Sequence, residues 1–148
     1  MAHFTLPIGP AGPVLSAFVA VSQARHAALT AAGQPVPSPV PIRALVDTGA
    51  SCTCVDASVL AALGLTPTGS TQMMTPSTGA TPHEALQYDV ALAIPAAPPN
   101  PQPFYKHTLP VVGSELSIQG IDALIGRDIL KDCLLTYNGV VGFFTLAF

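Results

Sequence analysis

The sequence predicts a mostly β fold with many turns, organised as a single domain over residues 1–148. Three observations predict it. Sixteen prolines are spread along the chain, and proline interrupts helices while suiting turns and strand edges. Apolar stretches are short and bounded by Pro, Gly, Ser or Thr, as buried strands are. An Asn-Gly pair, Asn138-Gly139, separates two apolar runs near the C-terminus, which is a strong hairpin signal. A chain of 148 residues that is 49 % hydrophobic has the size and content for one sizeable core.

The elements follow in order. Residues 1–13 are an extended arm and turn, rich in Gly and Pro, with Phe4, Leu6 and Ile8 alternating as in a short strand. Val14–Ser22 is a strand. Residues 24–34 are Ala-rich, which favours a short helix ending at Gly33. Pro35, Pro37, Pro39 and Pro41 make a stiff lead-in that cannot be a central strand. Val40, Ile42, Leu45 and Val46 then mark a buried strand that runs into Asp47-Thr48-Gly49-Ala50-Ser51.

Beyond that loop, apolar Val59, Leu60 and Leu63 share a helical face, with Asp56 as N-cap and Gly64 as stop. Residues 66–83 are dominated by Thr, Ser, Pro and Gly. Leu86–Ile94 alternates as a strand, 95–103 is a Pro-rich loop, and Phe104–Val112 is a further strand ending at Gly113. A short helix at 129–133 and the Asn-Gly hairpin complete the chain.

Charge narrows the function. Charged residues make up 9 % of the chain, with five Lys+Arg and a net charge of −3. There is no basic run and no interleaving of basic with aromatic residues, so no nucleic-acid surface is expected. So little surface charge favours association with another subunit. Three cysteines, Cys52, Cys54 and Cys133, make no disulfide framework and suit a reducing compartment. No signal sequence stands out, and neither Val14–Val21 nor Val140–Phe148 is long enough to span a bilayer as a helix. A soluble, cytoplasmic protein is expected, without a membrane partner.

The chemistry centres on Asp47. A carboxylate at the end of a buried strand is costly unless it has partners or a use. Gly49 permits the turn that follows. A second block, Ala123-Leu124-Ile125-Gly126-Arg127-Asp128-Ile129-Leu130, is another apolar run ending in Gly, then Arg-Asp and an apolar pair. In this order, over roughly residues 40–148, the two blocks resemble the retropepsin-like aspartic proteases, of the bacterial type.

The resemblance implies a closed barrel with one or two short helices, working as a homodimer. It implies that Asp47 is the catalytic acid and base, and that the Thr48 hydroxyl bonds across the dimer. Gly49 would bring backbone close to the carboxylate and substrate, with Ala50 and Ser51 completing the loop. Ser51 stands where retroviral members often carry an acidic residue. Gly126, Arg127 and Asp128 would support the loop, Arg127 structurally. Residues 70–86 would be the flap over bound peptide, its tip near Ser77-Thr78-Gly79, and residues 3–8 an interface strand. At residues 24–34 the family has a strand or hairpin, so helix and hairpin both stand there.

The chain has one Asp-Thr-Gly, so a second Asp47 must come from a second copy. No cofactor or metal is expected. Cys-x-Cys alone is too few ligands for zinc, and His3, His26, His83 and His107 have no metal or triad spacing. Cys52 and Cys54 read as small buried hydrophobes, with redox control of the loop as the sharper alternative. The expected function is an aspartic endopeptidase acting on peptide or protein segments. Its rivals are a catalytically silent dimerisation or peptide-binding module of the same fold, and a protein that uses Val140–Phe148 as a membrane tail.

Overall fold

A computed structural model describes residues 1–75 and 79–148. In chain order they form β1 (His3–Pro7), β2 (Val14–Val21), α1 (Gln23–Ala31), β3 (Val40–Val46), β4 (Cys54–Asp56), α2 (Ala57–Ala62) and β5 (Gly69–Met73). Then come β6 (His83–Ile94), β7 (Phe104–Ser114), a 3-10 turn (Ser117–Gln119), β8 (Ala123–Ile125), α3 (Arg127–Leu130), β9 (Leu134–Asn138) and β10 (Phe143–Ala147). The fold is mostly β, as expected, and the described residues carry three α-helices where one or two were counted.

The third is α1, which decides the Ala-rich segment in favour of helix. Ser22 caps it by accepting the Arg25 amide at 3.3 Å, and Gly33 leaves it at φ +65°. Arg25 and His26 are exposed, and only Leu29 of α1 reaches the core. Ala propensity and caps therefore account for the helix more than burial does.

Six strands close into a barrel in the order β2-β3-β8-β4-β7-β6, with β6 returning to β2 through Phe18–Val21 against Val90–Ala93. Two of the pairings are parallel, β3 with β8 and β4 with β7. Closure removes free edges from the barrel. Alternation fills it: Leu15, Ala17, Val19 and Val21 of β2 point in, while Ser16 and Phe18 point out. Among the described residues β5 pairs only with β6, and it hangs outside the ring as a hairpin.

The proline lead-in needs a correction. Val40 and Pro41 are the first residues of β3, which is a central strand. Proline is tolerated because β8 pairs only with Ala44–Val46, so at Pro41 the strand has only β2 beside it.

A second sheet, β1-β10-β9, packs on the barrel. β1, expected at an interface, pairs along one edge with β10 of its own chain. Phe144 and Leu146 of β10 are 1 % and 0 % exposed and join the barrel core. The membrane-tail alternative fails here, because the tail is a strand between two others with alternate side chains buried. Among the described residues no helix is long and apolar enough to cross a membrane.

The Asn-Gly hairpin forms, but its turn is wider than two residues, since Asn138 faces Phe143. The Asn138 side-chain oxygen accepts the amides of Val140 and Val141 at 3.2 and 3.3 Å. Gly142, not Gly139, takes the left-handed conformation at φ +75°.

If β10 anchors the second sheet, Phe144→Ala should lower unfolding stability by about 3–5 kcal/mol. Val140→Ser, at a side chain 96 % exposed, should stay within about 0.5 kcal/mol of wild type. Urea unfolding of both variants checks this.

Candidate active site

β3 and β8 lie parallel, and their ends set the loop. The Asp47 amide donates to the Ile125 carbonyl at 3.0 Å, extending the β3–β8 ladder by one bond. The chain then turns, and the Ala50 amide donates to the Asp47 carbonyl at 3.3 Å. The Gly49 amide donates to the Asp47 carboxylate at 2.8 Å. A Cβ at Gly49 would stand 3.1 Å from the same carboxylate oxygen, so glycine leaves that oxygen room. Asp47 and Ala50 are half-buried, and Thr48, Gly49 and Ser51 are exposed.

The Gly126-Arg127-Asp128 block holds this loop from behind. The Arg127 amide donates to the Ala50 carbonyl at 2.9 Å. Its guanidinium donates to the carbonyls of Thr48 and Gly49 at 3.0 and 3.3 Å. Three successive loop carbonyls are therefore held by one residue. Asp128 accepts the Thr53 amide at 2.9 Å and the Thr53 hydroxyl at 2.8 Å. The Thr53 hydroxyl oxygen accepts the Gly126 amide at 3.2 Å. Gly126 has an ordinary φ of −88°, so its need is space. A Cβ there would lie 2.5 Å from the backbone carbon and oxygen of Cys52.

Two supporting residues were not read as such from the sequence. Thr53 is fully buried, and its only signal is a hydroxyl between two thiols. Asp56 was expected as the α2 cap, and it does accept the Ser58 amide at 2.9 Å. It also accepts the amides of Leu116 and Ser117 at 2.7 and 2.8 Å, tying β4 to a segment about sixty residues away in sequence. Burial raises the Asp56 pKa, but the Ser58 hydroxyl and these three amides outweigh it and hold the carboxyl well below the usual range.

Asp47 opens on a groove of about 390 Å³. One wall is the loop with Cys52 and Cys54, and the other includes Met73, Met74 and Thr75 at the end of β5. The β5–β6 hairpin thus spans the expected flap and borders the groove that holds Asp47. Gly79 lies in the connection at φ +61°, while Ser77 and Thr78 lie outside the described residues. Burial, then the Cys52 thiol beside it, pushes the Cys54 thiol up to about 12. Burial pushes Cys133 up to about 11. All three cysteines are free. A cavity of about 530 Å³ between α1, residues 36–39 and β7 is larger, but no carboxylate lines it.

Two expectations follow. Gly126→Ala should cost more than about 3 kcal/mol, because backbone cannot retreat as a side chain can, and urea unfolding reads this. Asp56→Asn should cost about 2 kcal/mol at pH 7, by facing an amide NH2 toward backbone donors. Because the folded carboxyl titrates below its ordinary 3.8, its contribution is present above that pH and is lost as pH falls below it. The gap between wild type and Asp56→Asn should therefore narrow on going from pH 7 to pH 3, measured by urea midpoints.

The sequence model of the family described as "Aspartyl protease" matches residues 29–138. A retropepsin-like aspartic protease from Rickettsia conorii superposes with a TM-score of 0.59 and 15 % identity, over 97 % of this chain and 89 % of that one. The retroviral protease-like domain of Ddi1 from Leishmania major gives a TM-score of 0.37 and 14 % identity, over 86 % and 83 % of the two chains, a likeness too low to carry weight. No curated protein sequence matches the chain. The fold is retropepsin-like, the family match takes in both the Asp47 loop and the block behind it, and the chain belongs to the aspartyl protease family.

Proposed function

We propose that the protein is an aspartic endopeptidase that acts as a homodimer, through a water activated between two Asp47 carboxylates, one from each subunit. The observation that carries this reading is the setting of Asp47. It ends a core strand, its loop is held from behind by Arg127, and it opens on a groove bordered by the β5–β6 hairpin.

An acid protease needs two facing carboxyls, and the chain has one Asp-Thr-Gly. A two-fold axis beside the loop supplies the second. Two carboxylates so close share one proton, so one acts as base and the other as acid. The base takes a proton from water as the oxygen attacks the peptide carbonyl carbon. The acid gives its proton to the carbonyl oxygen. Collapse of the tetrahedral intermediate then protonates the leaving nitrogen. The apparent pKa values belong to the pair.

In this reading Thr48, exposed beside Asp47, bonds across the axis, and Gly126, Arg127 and Asp128 keep each loop in place. The substrate is an extended peptide or an exposed protein segment, held between the loop and the hairpin as flap. The three free thiols suit a reducing compartment such as the cytoplasm.

The test is cleavage of an unfolded protein from about pH 4 to pH 7, a range set by shared-proton dyads. Wild type should cleave, with specific activity rising with protein concentration as dimers form. Asp47→Asn should lose at least about a thousandfold. A dimer that cleaves nothing would overturn the reading in favour of a peptide-binding module of the same fold, and equal cleavage by both proteins would overturn it by removing Asp47 from the chemistry.

A further inference from the structure

Sulfur is concentrated at the groove. The chain has three cysteines and three methionines, and Cys52, Cys54, Met73 and Met74 all line the groove that holds Asp47. Thr53, between the two thiols, turns its hydroxyl to Asp128, while Cys52 and Cys54 both line the groove. The Cys54 sulfur lies 3.9 Å from the Cys52 carbonyl. Met73 comes from the hairpin and packs in the same cluster as Cys52 and Cys54. Met74 stands at the rim, 67 % exposed.

This donor set points to one kind of ion. Among the described residues no three His, Cys, Asp or Glu side chains come together as a metal site. Zinc, which takes four such ligands, has no set here. A thioether changes the count. Two thiolates and a thioether are soft donors of the kind that select Cu(I).

We propose that Cys52, Cys54 and Met73 form a binding site for Cu(I) in the groove beside Asp47. Each thiol that coordinates releases its proton to solvent. The copper stays in the +1 state, so no electron is transferred. The ion joins the strand that follows the Asp47 loop to the turn end of β5, opposite His83 in the hairpin. It thereby occupies space that substrate needs and ties down the groove's outer wall. That inhibitory consequence rests on the proteolytic reading, whereas the binding does not.

The experiment is an anaerobic titration of the reduced full chain with Cu(I) held by bicinchoninate, a coloured chelator. Wild type should withdraw one ion per chain. Cys52→Ser and Cys54→Ser should each weaken binding by more than about a hundredfold, beyond the cost of losing an outer-sphere partner. Met73→Leu keeps the volume of the side chain, so its result reads the thioether and not a folding defect, and it should weaken binding about tenfold or more. Cys133→Ser should bind as wild type does, since that sulfur is absent from the groove lining and lies 3.5 Å from the Ile129 carbonyl. Retention of the ion by the chelator, unchanged affinity in Met73→Leu, or an equal loss in Cys133→Ser would overturn the proposal. Copper withdrawn by a chain that cleaves nothing would leave this site standing and remove the protease. One equivalent that stops cleavage by wild type, with less effect on Met73→Leu, would support both.

Discussion

The approach of Gly126 to the Cys52 backbone is the constraint on which the site depends. Without a side chain at Gly126, α3 begins directly behind the residues that follow Asp47. Only at that separation can Arg127 reach the carbonyls of Thr48, Gly49 and Ala50. Only there can Asp128 bind Thr53 by both amide and hydroxyl. The loop itself is short and largely exposed, and it has little core of its own. Its shape is imposed by hydrogen bonds from a segment some eighty residues later in the chain.

The barrel serves the same end. β3 and β8 are parallel neighbours, so their ends emerge together on one side. β4 pairs with β8 and carries the chain back into the core directly after the loop. The loop is thus pinned at entry by the Asp47 amide and at exit by Thr53, both against the same strand-to-helix junction. Asp56, with donors from α2 and from the segment after β7, anchors the next turn.

Local chemistry made part of this legible in the sequence. An apolar run that ends in Asp-Thr-Gly announces a strand and a turn wherever it occurs. Asp56 before an apolar helical face announces a cap. What stayed hidden depends on distant partners. Nothing near Thr53 says that Asp128 will bind it, and nothing near Asp56 says that two amides at 116 and 117 will reach it. The roles expected of Arg127 and the flap came from family resemblance, and only the folded chain brings Arg127 to the carbonyls that it binds. Pro41 misled because a strand can be central along most of its length and one-sided at its start. The Ala-rich segment stayed open because its helix is mostly exposed, so burial gave no periodic signal to read. The Asn-Gly turn was located correctly but made wider by an asparagine side chain that caps two amides.

The hanging position of β5 has a mechanical consequence. β6 is held by β7 from Gln87 onward and by β2 from Val90 onward, but its first residues, His83–Leu86, pair with β5 alone. The hairpin is a cantilever mounted on the barrel at Gln87. Bending it there breaks none of the ring's strand pairings. Among the described residues, Met73 and Ala85 of the hairpin pack in one apolar cluster with Cys54. The ring and the hairpin that borders the groove can thus be altered independently.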